Sequence, residues 1–538
     1  MLVALASLWI AGASNWPLWR ALGELPEMAS MRGHVFMLAF GVMVAALTIA
    51  PLSLLAWRWT VKPALTVFLL SAAVAAHFMG SYGVVLDPTM MRNVLQTDLR
   101  EAGDLLSLRL LLSVLGLGVV PVAWVWLTPL HTLAWPRQLL RNGMALVAAV
   151  LLLLALVAVF YADLSSTMRN HKTMRYLINP VNAFFSLAVN ASESRRRVQG
   201  PPSPIGLDAH VLPRLPGTKP MLLVLVVGET ARADHFSLNG YARATNVQLS
   251  QLPVASFRQV MSCGTNTATS LPCMFSHLGK SAFESREREH ESLLDLLQRA
   301  GLAVLWLDNQ SGCKGICDRV PNAAASDAPP GAPPLPAGLC DDAECLDAAL
   351  LHGLQARLAA LPEARRAKGT LIVLHQMGSH GPAYHRRSPP DAKPFLPECN
   401  SNVLQNCPIQ DLVNAYDNSI AYTDRVLAQA VGWLSGQQGS YKPALLYVSD
   451  HGESLGENNL YLHGLPYAVA PVEQKHVPML LWLPAPSAHA SGIRSACVPG
   501  LLDAPLTHDN LFHTVLGLLG VAAREYRPAL DLLNTCRG

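Results

Sequence analysis

The sequence predicts a two-part fold: an α-helical domain of five membrane spans, followed by an α/β domain with a mostly parallel sheet. Three observations predict it. Long apolar runs all lie before residue 163, ten cysteines all lie beyond residue 260, and short Val/Leu/Ile runs in the second half each end in a polar residue. The first calls for lipid, the second for an oxidising compartment, and the third for strands buried on both faces.

The candidate spans cover residues 2–18, 35–57, 65–85, 110–127 and 144–161. Most approach the ~20 apolar residues that a hydrocarbon core requires. The first is short before Asn15 and has the length of a signal peptide. It lacks a basic start and a small-residue cleavage site, and further spans follow, so it reads as a span. Its shortness carries the expectation that a few residues precede Met1. Arg58 and Lys62 separate spans two and three, Arg137 and Arg141 separate spans four and five, and neither linker holds an acid. The loop over 87–104 instead mixes Asp87, Asp98, Glu101 and Asp104 with Arg92 and Arg100. Positive-inside bias predicts a cytoplasmic N-terminus and an outward second half.

The cysteines agree with that sidedness. They fall as Cys263/Cys273, Cys313/Cys317, Cys340/Cys345, Cys399/Cys407 and Cys497/Cys536. An even count with close pairs reads as local disulfides, which persist in a periplasm or outside a cell. A zinc cluster around Cys313 and Cys317 is the rival reading, weakened by the lack of C-x2-C partners and paired histidines. Residues 1–162 are therefore expected as the membrane domain, 163–217 as a bridge and 218–538 as the catalytic domain. The bridge threads Met174, Tyr176, Leu177, Phe184, Phe185, Leu187 and Val189 through basic and polar residues, which suits helices at a membrane surface or a solvated tether. Gly200-Pro201-Pro202-Ser203-Pro204 marks a linker, and the Pro/Ala-rich stretch 327–338 a surface loop. A net charge of +3 over 538 residues, with no basic-aromatic motif, gives no support to nucleic-acid binding.

Four strand-like runs lead into residues with chemistry. Residues 221–227 precede Glu229, 302–307 precede Asp308, 370–374 precede His375, and 444–448 precede Asp450 and His451. A fifth run, 479–483, follows His476. Helical patterns between them imply β–α alternation, in which ligands bind beyond the carboxyl ends of the strands. Two carboxylates and an imidazole at such a rim suit a zinc-like ion with one position open for chemistry. Cys263-Gly264-Thr265-Asn266-Thr267-Ala268-Thr269-Ser270 places several hydroxyls before a helix opened near Pro272. A hydroxyl at a helix N-terminus beside a metal can act as nucleophile and phosphate carrier, although residue types alone do not select which one.

Resemblance selects it. Gly228-Glu229-Thr230-Ala231-Arg232, Cys263-Gly264-Thr265-Asn266-Thr267-Ala268, Asp308-Asn309-Gln310-Ser311-Gly312-Cys313-Lys314-Gly315, His375-Gln376-Met377-Gly378-Ser379-His380-Gly381-Pro382, Tyr416-Asp417-Asn418-Ser419, Ser449-Asp450-His451-Gly452-Glu453-Ser454 and Tyr461-Leu462-His463-Gly464 resemble the motifs of the lipid A phosphoethanolamine transferases, which include the mobile colistin-resistance enzymes. The likeness extends to Tyr82-Gly83 and to Asn93-Val94-Leu95-Gln96-Thr97-Asp98, so it covers nearly the whole chain, and no motif residue is missing.

The resemblance implies an alkaline-phosphatase/sulfatase-like catalytic domain with Thr267 as nucleophile. It implies zinc ligands at Glu229, Thr267, Asp450 and His451, and contacts to phosphate, phosphoethanolamine or a second zinc at Thr265, Lys314, His380 and His463. His375 is expected to play a structural role, and His508 and His513 to pack within a C-terminal helix. The implied reaction moves phosphoethanolamine from phosphatidylethanolamine to a lipid A phosphate, releases diacylglycerol and confers polymyxin resistance. The implied setting is a monomer in the inner-membrane lipids of a Gram-negative cell, with a periplasmic catalytic domain. Alternative acceptors are Kdo, core heptose or a periplasmic glucan. The remaining rivals are a metal phosphodiesterase or glycerol-phosphate polymerase of the same superfamily, and an inactive membrane scaffold.

Overall fold

The computed structural model describes residues 1–97, 99–131, 133–196, 200–214, 217–329, 331–341 and 344–537. Asp98, counted above in the loop charge, lies outside the described residues, as do 197–199 and 215–216 of the bridge and 330 of the Pro/Ala-rich loop. The chain divides into two compact units, one of Met1–Arg92 with Leu106–Ser192, the other of Asn93–Leu105 with Glu193–Gly538.

In the first unit, helices α1 (Leu2–Gly12) and α2 (Trp16–Gly23) precede four longer ones: α3 (Met31–Leu54), α4 (Val61–Tyr82), α5 (Leu108–Leu127) and α6 (Trp135–Val159). These four are long and apolar enough to cross a membrane, and they overlap expected spans two to five. The expected first span is broken instead. Pro17 sits in the first turn of α2, and the buried Asn15 side chain donates to the Ile10 carbonyl, so the run ends as an 11-residue helix and a turn. Ser30 caps α3 by accepting from the Gly33 amide. Inside α5 the five residues Leu115–Val119 widen into a π turn just before Pro121, whose ring supplies no N–H to the helical ladder. Trp57 stacks with Trp135, and the Lys62 ammonium donates to the Trp126 carbonyl, which groups aromatic and basic side chains at the ends of the spans. Helices Tyr161–Asn170 and Val181–Arg196 form the first part of the bridge.

The second unit is built on a seven-stranded sheet. Its strands are β1 (Met221–Gly228), β2 (Val254–Phe257), β3 (Ala303–Asp308), β4 (Asn322–Ala324), β5 (Thr370–His375), β6 (Lys442–Ser449) and β7 (Met479–Trp482), in the spatial order β2-β7-β6-β1-β5-β3-β4. All five expected runs are strands. The pairs from β6 to β4 are parallel, whereas β7 runs antiparallel to both β6 and β2, so the sheet is mixed. Every residue of β1 is buried. Leu223, Leu225 and Val227 join one apolar cluster with helix α9 (Asp509–Leu519), while Leu222, Val224 and Val226 join another with helix α8 (Ile409–Gly436). Burial on both faces is why the run shows no apolar–polar alternation. All five expected disulfides form: Cys263–Cys273, Cys313–Cys317, Cys340–Cys345, Cys399–Cys407 and Cys497–Cys536. The Cys313–Cys317 bond removes the zinc-cluster reading of those thiols.

Candidate active site

Strands β1 and β6 are parallel neighbours with Gly228 opposite Ser449, so the residues that follow them emerge side by side. Glu229, Asp450 and His451 are each fully buried there. Helix α7 (Thr267–Met274) brings the hydroxyl. Asn266 caps it by accepting from the Thr269 amide at 3.0 Å, which places Thr267 in the first turn. Thr267 Oγ1 lies 3.1 Å from each Glu229 carboxylate oxygen and 3.4 Å from His451 Nε2.

The same donors fit a divalent cation. Candidate ligand atoms of Glu229, Asp450 and His451 all lie within 4.8 Å of one another. Asp450 Oδ1 accepts from the Thr230 and His451 amides, whereas Oδ2, 3.3 Å from His451 Nε2, is buried without a hydrogen bond among the described residues. His451 Nδ1 is 2.9 Å from the Gly452 carbonyl; as donor there, it leaves Nε2 as the ligand nitrogen. Two carboxylates, one imidazole and one hydroxyl form a set suited to zinc. Electrostatics report the same crowding. Burial opposes the charge on Glu229, but the His451 hydrogen bond and the charges of His451, His380 and His463 hold it well below the usual carboxylate range. Asp450 is pushed up by burial and by Glu229. Burial would lower His451, yet Asp450 and Glu229 outweigh it and raise the imidazole to about 10.

His463 sits next to this cluster, its ring centroid 4.4 Å from that of His451 and 5.5 Å from that of His380. Its Nδ1 lies 2.7 Å from Glu453 Oε2, while Tyr384 donates to Glu453 Oε1 at 2.6 Å. Burial still lowers the His463 pKa despite Glu453. Gly378, in the loop leading to His380, passes so close to Glu229 that a Cβ would meet the Glu229 carbonyl at 2.6 Å, and its φ of +55° independently favours glycine. Asp347 holds this loop by accepting from the Met377 and Gly378 amides at 2.8 and 2.9 Å.

Two expected contact residues point elsewhere. Thr265 donates to the Leu465 carbonyl at 2.6 Å, and Lys314 donates to Ser311 of its own loop. Among the described residues, no hydrogen bond joins Lys314 to Thr267, Glu229, Asp450 or His451. Its neighbour Gln310 does reach the cluster, donating to Glu229 Oε2 at 3.1 Å. His375 is buried beside Asp308, with Nδ1 2.9 Å from Oδ1.

His508 differs from expectation. It precedes α9 rather than packing within it, and its ring ties the loop before α7 to β6. Nε2 donates to the Ser449 carbonyl at 2.9 Å and Nδ1 accepts from the Cys263 amide at 3.1 Å, a pattern that requires the neutral ring. Burial lowers the His508 pKa to about 4, in keeping with that tautomer. His513 lies within α9, as expected, and accepts from the Arg527 amide. Glu453 and Gln310 also belong to the site; residue type alone does not single them out, although they stand inside the 449–454 and 308–315 motifs.

Residues 222–521 match the Sulfatase family model, and residues 43–194 match the model described as phosphoethanolamine transferase EptA/EptB. The chain is 40% identical to phosphoethanolamine transferase EptA of Salmonella typhimurium, over 99% of this chain and 96% of that protein. It is 38% identical to phosphatidylethanolamine transferase Mcr-1 of Escherichia coli, over 98% and 96%. The full-length structure of lipooligosaccharide phosphoethanolamine transferase A from Neisseria meningitidis superposes with a TM-score of 0.92 at 32% identity, covering 100% of this chain and 98% of that one. Full-length identity at this level, on a sulfatase-type catalytic unit, shows that the chain belongs to the EptA/Mcr family of phosphoethanolamine transferases.

Proposed function

We propose that this protein transfers phosphoethanolamine from phosphatidylethanolamine to a phosphate of lipid A through a covalent phosphoethanolamine–Thr267 intermediate. The observation that carries the reading is the Thr267 hydroxyl, buried in the first turn of α7 and 3.1 Å from both oxygens of Glu229. A relative named as a phosphatidylethanolamine transferase supports the donor, and one named for lipooligosaccharide supports the acceptor class.

Thr267 Oγ1 attacks the donor phosphorus, and the bond from phosphorus to the diacylglycerol oxygen breaks. That oxygen takes up a proton and leaves as diacylglycerol. A lipid A phosphate oxygen then attacks the same phosphorus, and Thr267 leaves and regains its proton. Glu229 lies within hydrogen-bond reach of the attacking hydroxyl, and the first-turn amides of α7 favour negative charge on the transferring group. Zinc, held by Glu229, Thr267, Asp450 and His451, would supply a Lewis acid that eases loss of the hydroxyl proton and offsets phosphoryl charge. His463, oriented by Glu453, serves as proton shuttle, while His380 contacts the phosphoethanolamine group and Thr265 and Lys314 reach it on exchanging their bonds to Leu465 and Ser311. Five spans, the first made by α1 and α2 together, anchor the monomer in the inner membrane, with the N-terminus in the cytoplasm and the catalytic unit in the periplasm.

Mass spectra of lipid A from a Gram-negative host expressing the wild type or Thr267→Ala test this. The wild type adds phosphoethanolamine and the variant adds none. Unmodified lipid A beside a well-expressed, zinc-loaded wild type removes the acceptor assignment, and the increment is then sought on core sugars and glucans.

A further inference from the structure

Residues Asn93–Leu105 lie in the chain between helices α4 and α5, yet they cluster with the catalytic unit. They end on an ion network. Asp104 pairs through Oδ2 with Arg387 Nη2 at 3.0 Å and through Oδ1 with Arg386 Nη1 at 3.1 Å, and its carbonyl accepts from Asn402 at 2.9 Å. Glu344 pairs with both arginines, and Asp341 meets Arg386 at 3.5 Å. Arg387 is 5% exposed, and its third direction is already used: Nε donates to the His380 carbonyl at 2.8 Å. Asp104, Glu344, Arg387, His380 and Gln310 line a single cavity of about 440 Å³, and Gln310 is hydrogen-bonded to Glu229.

A buried guanidinium between carboxylates is stable only when its donors are all met in fixed geometry. Here the planar fork converts two carboxylates from other segments into one constraint on the backbone of His380. We propose that Arg387, held by Asp104, is a positioning residue that fixes His380 for phosphoethanolamine transfer. The segment Asn93–Leu105 thereby sets the geometry of the catalytic loop. This rests on the transferase reading above, in which His380 contacts the transferred group.

The test uses full-length, zinc-loaded protein in detergent–lipid micelles. It measures diacylglycerol release from a fluorescent phosphatidylethanolamine and, separately, transfer to lipid A. Arg387→Gln lowers kcat by about tenfold to a hundredfold, the scale of a misplaced reacting group, while KM for the donor stays within about twofold of wild type. Zinc content matches wild type although the melting temperature falls, as loss of a buried ion-pair partner requires, and Asp104→Asn, which is isosteric and on a different segment, gives a comparable loss of kcat. The double variant falls no further than the worse single one, because both act through one contact. Arg387→Lys does not restore kcat, since an ammonium cannot span three partners. Wild-type kcat in Asp104→Asn, or losses that multiply in the double variant, overturn the proposal. If Arg387→Gln fails to fold, Asp104→Asn alone decides. A wild type that releases diacylglycerol without modifying lipid A counts against the acceptor reading and leaves this inference to be judged on donor turnover.

Discussion

His451 meets two carboxylates inside a fully buried cluster, with Nε2 3.2 Å from Glu229 and 3.3 Å from Asp450. In the metal-free protein those carboxylates hold a proton on the imidazole, which is why its pKa rises to about 10. Zinc bound as proposed needs that nitrogen neutral, so loading would expel the proton. The sign follows: lower pH favours the protonated apo site, and zinc affinity climbs as pH rises. Chelator competition between about pH 5.5 and about pH 7.5 should show the affinity gaining roughly tenfold per pH unit for each proton displaced. A pH-independent affinity would place the metal on other ligands. His451→Gln should abolish the dependence along with most of the binding, whereas the native folding of β6, whose strand ends at Ser449, should persist.

Helix α7 shows how an element serves one atom. It has eight residues and carries Pro272, so it gains little from its own ladder and depends on its ends. Asn266 supplies the N-cap and the Cys263–Cys273 disulfide spans the helix. Asn266→Ala should cost about 1 kcal/mol of stability and lower transfer more than donor binding, because Thr267 is the next residue. Asn266→Ser keeps a capping oxygen and should retain most activity; equal loss in both variants, read by kcat and thermal unfolding, would show that the cap does not position Thr267. Much of this element level was legible in the sequence. The strand ends just before Glu229 and Asp450 and at His375 could be read because burial on both faces writes unbroken apolar runs that stop at a polar residue. The direction of β7 could not, since Met479–Trp482 is equally apolar whichever way it runs. Contacts across long separations were also hidden. His508 reaches Cys263 over 245 residues and Arg387 reaches Asp104 over 283, and no local pattern marks either partner. The break in the expected first span was visible only as Asn15 and Pro17, whose effect depends on the tertiary hydrogen bond from Asn15.

At the scale of the whole molecule, the number of membrane crossings fixes which compartments the two ends of the chain occupy. Among the described residues four helices meet the length and hydropathy of a span, and an even number returns the chain to the side on which it began. The basic residues Arg58, Lys62, Arg137 and Arg141 assign the α3–α4 and α5–α6 loops to the cytoplasm. The α4–α5 loop and everything beyond α6 are then outside, which agrees with ten cysteines paired as five disulfides in the second unit. With four crossings, residues before Met31 would also lie outside. With a fifth, formed by α1 and α2 together over residues 2–18, they begin in the cytoplasm. A fluorescent protein that matures only in the cytoplasm, fused ahead of Met1, separates the two. The five-span chain should fluoresce when fused there and stay dark when fused after Gly538. Darkness at both ends, with the full-length fusions present on a blot, would leave α1 and α2 on the periplasmic side and reduce the anchor to four crossings.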